Sequence, residues 1–192
     1  SSDAAGVLTG LNHLTGNRFS FEDLAAMGVK IGADVPFCMK GGTVLCEGIG
    51  EIMTGLVPLP QMHIVLVKPD FGVSTPWIFK NYSPELIRKR PDTSKIIDAI
   101  RAENPDDVFL NTANVLEDIT LITFPQISRI KDALVSCGAS FSMMSGSGSA
   151  VFGVFENEKT ALKSKYKLND ILKIYKPVII KTETCNNGPV VV

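Results

Sequence analysis

Five small residues, Ser145-Gly146-Ser147-Gly148-Ser149, stand between two apolar runs, 140–144 and 150–155. Two strands joined by so short a connection lie antiparallel, which makes this the strongest constraint on the fold. Its glycines let the backbone take positive φ and leave N–H groups free to meet an anion, and its serines add hydroxyl donors. The G-K-[ST] ending of a Walker loop is absent. A plain tight hairpin accounts for the same residues.

Taken from its start, the chain predicts a helix over residues 2–14, with Val7, Leu8, Leu11 and Leu14 on one face. A second helix opens at Ser20, with Glu22 and Asp23 in its first turn, and runs to about Val29. Residues 43–47 and 51–53 read as short strands around Gly48-Ile49-Gly50. Val57-Pro58-Leu59-Pro60 is a stiff linker that divides the chain into residues 1–57 and 58–192. Beyond it, 63–69 reads as a buried strand and 76–81 as a short helix whose first turn suits Pro76. Helices follow over 94–101, from Asn114 to an interruption at Phe124-Pro125, and over 126–136. After the hairpin come a helix over 158–168 and a last strand over 174–182. Strands and helices alternate without a regular parallel repeat. The fold class is therefore α+β, an antiparallel sheet carrying helices on one face.

A net charge of −1 over 192 residues gives no electrostatic case for nucleic acid or an anionic membrane. No apolar run approaches the roughly 18 residues that span a bilayer. Cys38, Cys46, Cys137 and Cys185 stand far apart with no C-x-x-C pair, the pattern of reduced thiols in a cytosolic protein, and no residue set is expected to ligate a metal directly. With His13 and His63 the only histidines, a histidine-based triad is not expected. The chain has no initiator Met and opens at once into a helix pattern, so a piece of a longer protein is expected.

Asp34 is a lone carboxylate set in Gly32-Ala33-Asp34-Val35-Pro36-Phe37-Cys38. Dry on several sides, it suits a general base taking a proton from an alcohol, provided a phosphate donor sits nearby. The alternative is an Asp that caps a turn through its own backbone.

Three separate stretches resemble one family, the GHMP small-molecule kinases. Ser1-Ser2-Asp3-Ala4-Ala5 resembles the tail of its phosphate loop, Ile31 to Pro36 its G-A/S-D block, and Ser145 to Phe152 its third glycine motif. The match extends to the branch acting on cytidine-diphospho-methylerythritol. Gly28 to Phe37, Glu47 to Ile52, Lys68-Pro69 with Gly72 to Thr75, Asn114 to Glu117 and Met144 to Gly148 all resemble it, in order and over essentially the whole chain. Those kinases are longer, and this chain resembles them from partway through their second motif.

The resemblance implies a GHMP-kinase-like fold, with residues 1–57 the end of an ATP-binding α+β domain and 58–192 the C-terminal domain. It implies ATP with Mg²⁺ as phosphoryl donor and the 2-hydroxyl of cytidine-diphospho-methylerythritol as acceptor, in non-mevalonate isoprenoid synthesis. Asp34 would be the catalytic base, without the upstream lysine that pairs with it in the family. Ser1, Ser2, Gly146, Ser147 and Gly148 would meet the nucleotide phosphates. Thr75 and Phe79 would border the acceptor, Phe79 stacking on the cytosine, and the Ile49 backbone would meet the base. Simple N-capping by the two serines, and Phe79 as plain core, remain alternatives. So do a homoserine or phosphomevalonate type of kinase, and a non-catalytic remnant that binds a partner or a separate N-terminal segment. The location implied is a bacterial cytoplasm, or a plastid if the source is a plant.

Overall fold

The computed structural model describes residues 1–190. They form two compact units, one of residues 1–59 together with the chain from Cys185, the other of residues 60–184.

In the first unit α1 (Ser2–Leu14) buries Ala5 completely, while α2 (Phe21–Val29) buries Leu24 and Gly28. The start of α2 is a reciprocal cap: Ser20 Oγ accepts from the Asp23 N–H at 3.1 Å, and Asp23 accepts from the Ser20 N–H at 3.0 Å. A short helix, α3 (Val35–Lys40), follows Asp34 and turns Val35 and Pro36 inward. The sequence reading has only an apolar run there, although proline in a first turn, as at Pro36, favours a helix. The hairpin β1 (Val44–Glu47) and β2 (Ile52–Gly55) pairs Glu47 with Ile52 around the expected glycine turn.

The second unit is built on a four-stranded antiparallel sheet. Its strands are β3 (His63–Lys68), β4 (Phe141–Met144), β5 (Val151–Phe155) and β6 (Val178–Glu183), in the order β4-β5-β3-β6. Before β4 come α4 (Thr75–Lys80), α5 (Thr93–Arg101), α6 (Pro105–Asn111), α7 (Val115–Thr123) and α8 (Gln126–Ser136). Helix α9 (Glu158–Ile171) joins β5 to β6. Both of those strands run antiparallel to β3, so they are parallel to each other and α9 crosses over the strand between them. No sequence pattern foretells this split β-α-β unit.

Helices α8 and α9 lie on one face of the sheet, as expected. Ile127, Ile130 and Leu134 of α8 recur at helical spacing, as do Ala161 and Leu168 of α9, and all are fully buried against Val65, Val67 and Val151. On the opposite face Phe109 of α6 stacks on Phe141 of β4 with centroids 4.7 Å apart. Helix α6 was not read from the sequence, although Asn104 caps it and Pro105, Asp106 and Asp107 fill its first turn. The last strand begins at Val178 instead of residue 174, because Lys173–Tyr175 closes a 3₁₀ turn and Lys176 takes the left-handed conformation.

Gly153 of β5 lies directly under Leu134 of α8. A methyl group there would lie 3.0 Å from Leu134 Cδ2 and 3.1 Å from Ala139 Cβ. Gly153→Ala is therefore expected to lower the stability of this unit by about 1–3 kcal/mol through overpacking. Urea titration should show the midpoint falling with an unchanged slope. An unmoved midpoint would mean the helix is not seated on the strand as described.

Candidate active site

In the first unit, Asp34 is the N-cap residue of α3, yet its side chain makes no capping bond and it is exposed. The capping alternative and the expectation of a dry carboxylate are both corrected here. The carboxylate caps nothing, and it is not dry, because α3 directs Val35 and Pro36 into the core and leaves the preceding residue outside. Its charge is felt by Cys46, whose thiol is pushed up first by partial desolvation and then by the Asp34 carboxylate, with Lys40 acting the other way.

Ser1 stands at the N-cap of α1 and also makes no capping bond, so simple N-capping does not account for it. A methyl on Gly32 would lie 3.8 Å from Ser1 Oγ, and Ser2 Oγ lies 3.6 Å from Cys38 Sγ on α3. The β1–β2 turn approaches the same segment: a Cβ at Gly50, where φ is +117°, would lie 3.0 Å from the Ala33 carbonyl oxygen. This unit thus gathers Ser1, Ser2, Asp34 and the Gly48–Gly50 turn. The Ile49 N–H is already taken, donating to Glu51 Oε2 at 2.7 Å, so only its carbonyl is available of the backbone contact expected there.

In the second unit the loop after β4 is held from three sides. Thr75 Oγ1 and Ser147 Oγ lie 2.6 Å apart, joining two residues chosen separately from the sequence. Phe79, one turn beyond Thr75 on α4, is 62% exposed, while its neighbour Ile78 is fully buried. Phe79 is therefore not core; Ile78 fills that role. Lys68, at the end of β3, donates to Phe71 O at 2.8 Å, Pro69 O at 3.0 Å and Ser149 Oγ at 3.0 Å. Ser149, 1% exposed, donates in turn to Phe71 O at 2.5 Å. From α7, Asn114 Nδ2 donates to the carbonyls of Met144 (2.9 Å) and Gly146 (2.7 Å), and Glu117 Oε2 accepts the Met144 N–H at 2.9 Å.

Gly146 and Gly148 have φ of +56° and +92°, the conformations for which the sequence supplies glycine. Not every loop amide is free, however. Gly148 N–H donates to Ser145 O at 3.0 Å and Ser145 N–H to Ala150 O at 2.8 Å. Lys68, Asn114, Glu117 and Thr120 were given no role from the sequence, although the first three stand in stretches singled out for their resemblance.

Comparisons with known proteins point to one family. Residues 85–173 match the family model described as GHMP kinases C terminal. A 4-diphosphocytidyl-2-C-methyl-D-erythritol kinase of Caldicellulosiruptor saccharolyticus is 45% identical over 187 residues, 97% of this chain and 63% of that protein. The kinase of the same name from Acetivibrio thermocellus is 48% identical over 161 residues, 84% of this chain and 57% of its own length. The chain therefore spans less than two thirds of the curated relatives it matches. Among solved structures, a 4-(cytidine 5'-diphospho)-2C-methyl-D-erythritol kinase superposes with a TM-score of 0.74 at 27% identity, over 95% of this chain and 64% of that one. A mevalonate kinase of L. major, solved with R-mevalonate, gives the same TM-score at 12% identity over 98% of this chain and 65% of its own, a likeness of fold alone. Family model, relatives and fold agree in likening this chain to the GHMP kinases, with residues 85–173 matching the family's C-terminal domain.

Proposed function

We propose that this chain serves an ATP-dependent kinase that phosphorylates the 2-hydroxyl of 4-diphosphocytidyl-2-C-methyl-D-erythritol in non-mevalonate isoprenoid synthesis. Relatives that carry this kinase's name align with nearly the whole chain. The observation that carries the reading in the structure is the 2.6 Å contact of Thr75 with Ser147, beside the exposed ring of Phe79. A residue assigned to the acceptor and one assigned to phosphate there share a hydrogen bond, with an aromatic face within a helical turn.

Phosphoryl transfer asks little covalent chemistry of the protein; position and charge neutralisation dominate. Asp34 takes the proton of the acceptor hydroxyl. Its carboxylate, bound to no cap of its own helix, is available for that role. The residues present fit a nucleotide phosphate: the Ser1 hydroxyl is uncommitted at the head of a 13-residue helix, where N–H groups and the helix dipole favour negative charge. Mg²⁺, which keeps water and phosphate oxygens in its shell, would come with ATP and neutralise its charge. Ser147 and the two flanking glycines meet phosphate on the second unit. Thr75 orients the acceptor polyol, Phe79 stacks on the cytosine, and the Ile49 carbonyl accepts from the base.

Two measurements on the full-length protein test this reading. Coupled ADP release should require the cytidine-bearing alcohol, with homoserine and phosphomevalonate inert, and Asp34→Asn should cut turnover by about 10²–10⁴-fold while ATP binding stays nearly intact. Turnover that survives this substitution rejects the base, and turnover of homoserine or phosphomevalonate rejects the acceptor. Phe79→Ala should separately raise KM for the acceptor by the loss of roughly 1–3 kcal/mol of stacking and leave KM for ATP alone. An unchanged acceptor KM would remove Phe79 from the site.

A further inference from the structure

We propose that Asn114 and Glu117 are positioning residues that set the direction of the loop over residues 145–149, with Thr120 completing the clamp; the functional part of this inference rests on the phosphate role given to Ser147 above. The three side chains recur every third residue from the N-cap of α7, so they line one face of the helix. Each reaches a different peptide group of the loop or its approach. Asn114 donates both amide hydrogens, one to Met144 O and one to Gly146 O, while its Oδ1 caps α7 by accepting from the Leu116 N–H at 3.0 Å. Glu117, only 12% exposed, takes the Met144 N–H on one oxygen and is ion-paired with Lys131 of α8 through the other. Thr120, fully buried, shares its hydroxyl hydrogen between Leu116 O at 2.9 Å and Ser147 O at 3.3 Å.

The consequence follows from peptide geometry. In a trans peptide the C=O and the N–H of the next residue point in opposite directions. Holding the Gly146 carbonyl toward α7 therefore aims the Ser147 N–H away from α7. Among the described residues that N–H has no partner. The amide of Asn114 is the only side-chain chemistry of its size that can cap a helix and donate twice at once. An aspartate keeps the cap and turns two donors into an acceptor facing two carbonyl oxygens. The Asn-Val-Leu-Glu stretch thus specifies the direction of an anion-seeking amide without touching the anion.

Asn114→Asp separates this from a purely structural role, because aspartate is an equally good N-cap. In the full-length protein we expect the helix cap to be kept and the unfolding midpoint to fall, because the Met144 and Gly146 carbonyls lose their donors. Amide exchange over residues 144–149 should speed up by about tenfold or more, while β3 and β5 stay protected. KM for ATP should rise at least about tenfold, KM for the acceptor alcohol should change little, and Glu117→Gln should follow the same pattern more weakly. Loop amides that exchange at the wild-type rate in Asn114→Asp overturn the clamp. Should that variant not fold, the near-isosteric Thr120→Val asks the same question of the Ser147 carbonyl, and unchanged loop exchange again overturns it. If the wild type transfers no phosphoryl group to any alcohol tested while Asn114→Asp still loosens the loop, the clamp stands and the kinase reading fails.

Discussion

Strand β3 is hydrogen-bonded along both edges, to β5 on one side and β6 on the other, and the candidate-site segments of the second unit hang from its end. Both partners arrive late in the chain, so the sheet forms only after long loops are closed, at an entropic cost that local contacts cannot offset. What offsets it is the apolar layer beneath, in which Val65 and Val67 are fully buried under α8 and α9. Because β3 is central, its last residue, Lys68, is fixed in place. The ammonium there uses three donors to tie Phe71 and Ser149 together, and so fixes the far side of the glycine loop.

A loop of this composition is in principle soft, since glycine has more conformational freedom to lose than any other residue. Here the cost is met by satisfying the loop's polar groups one at a time. The carbonyls of Met144, Gly146 and Ser147 each receive a side-chain donor from α7. The buried Ser149 hydroxyl both donates and accepts. A buried polar group left unpaired is expensive, so these contacts define one arrangement of the loop and penalise others. Precision comes from rigid elements around the loop, the usual way a mobile segment is made into a site.

The parts legible in the sequence are those whose signal is local. Turn residues flanking apolar positions at helical spacing locate α1, α2, α8 and the start of α9, and apolar runs locate β3, β4 and β5. Short helices were harder. Residues 35–40 are too few to show a period, and proline at the second position reads as an interruption as easily as a start. The contact of Thr75 with Ser147 spans 72 residues of sequence, and nothing but the folded sheet brings the two together. The exposure of Asp34 was misjudged for a related reason: apolar neighbours imply a dry residue only if the backbone keeps them on one side of it. Helix α3 turns them to the other.

Capping gives a last reason to treat the two ends of the first unit's site as special. Ser20, Ser74, Asp92, Asn104, Asn114 and Asn157 all close their helices with a side-chain bond. Three of the described α-helices lack one. For α8 the N-cap is Pro125, which has no side-chain acceptor to offer. The other two begin at Ser1 and at Asp34, whose backbone is already helical (φ −84°, ψ −6°) and so carries its carboxylate away from the capping position. A missing cap costs roughly 0.5–2 kcal/mol, and elsewhere in this chain that stability is taken whenever the chemistry allows. Where a local rule is broken with the right residue in place, a competing demand on that side chain is the usual cause. Among the described α-helix starts, Ser1 and Asp34, the serine proposed for phosphate and the aspartate proposed for the acceptor's proton, are residues of capping type that make no side-chain bond to their own helix.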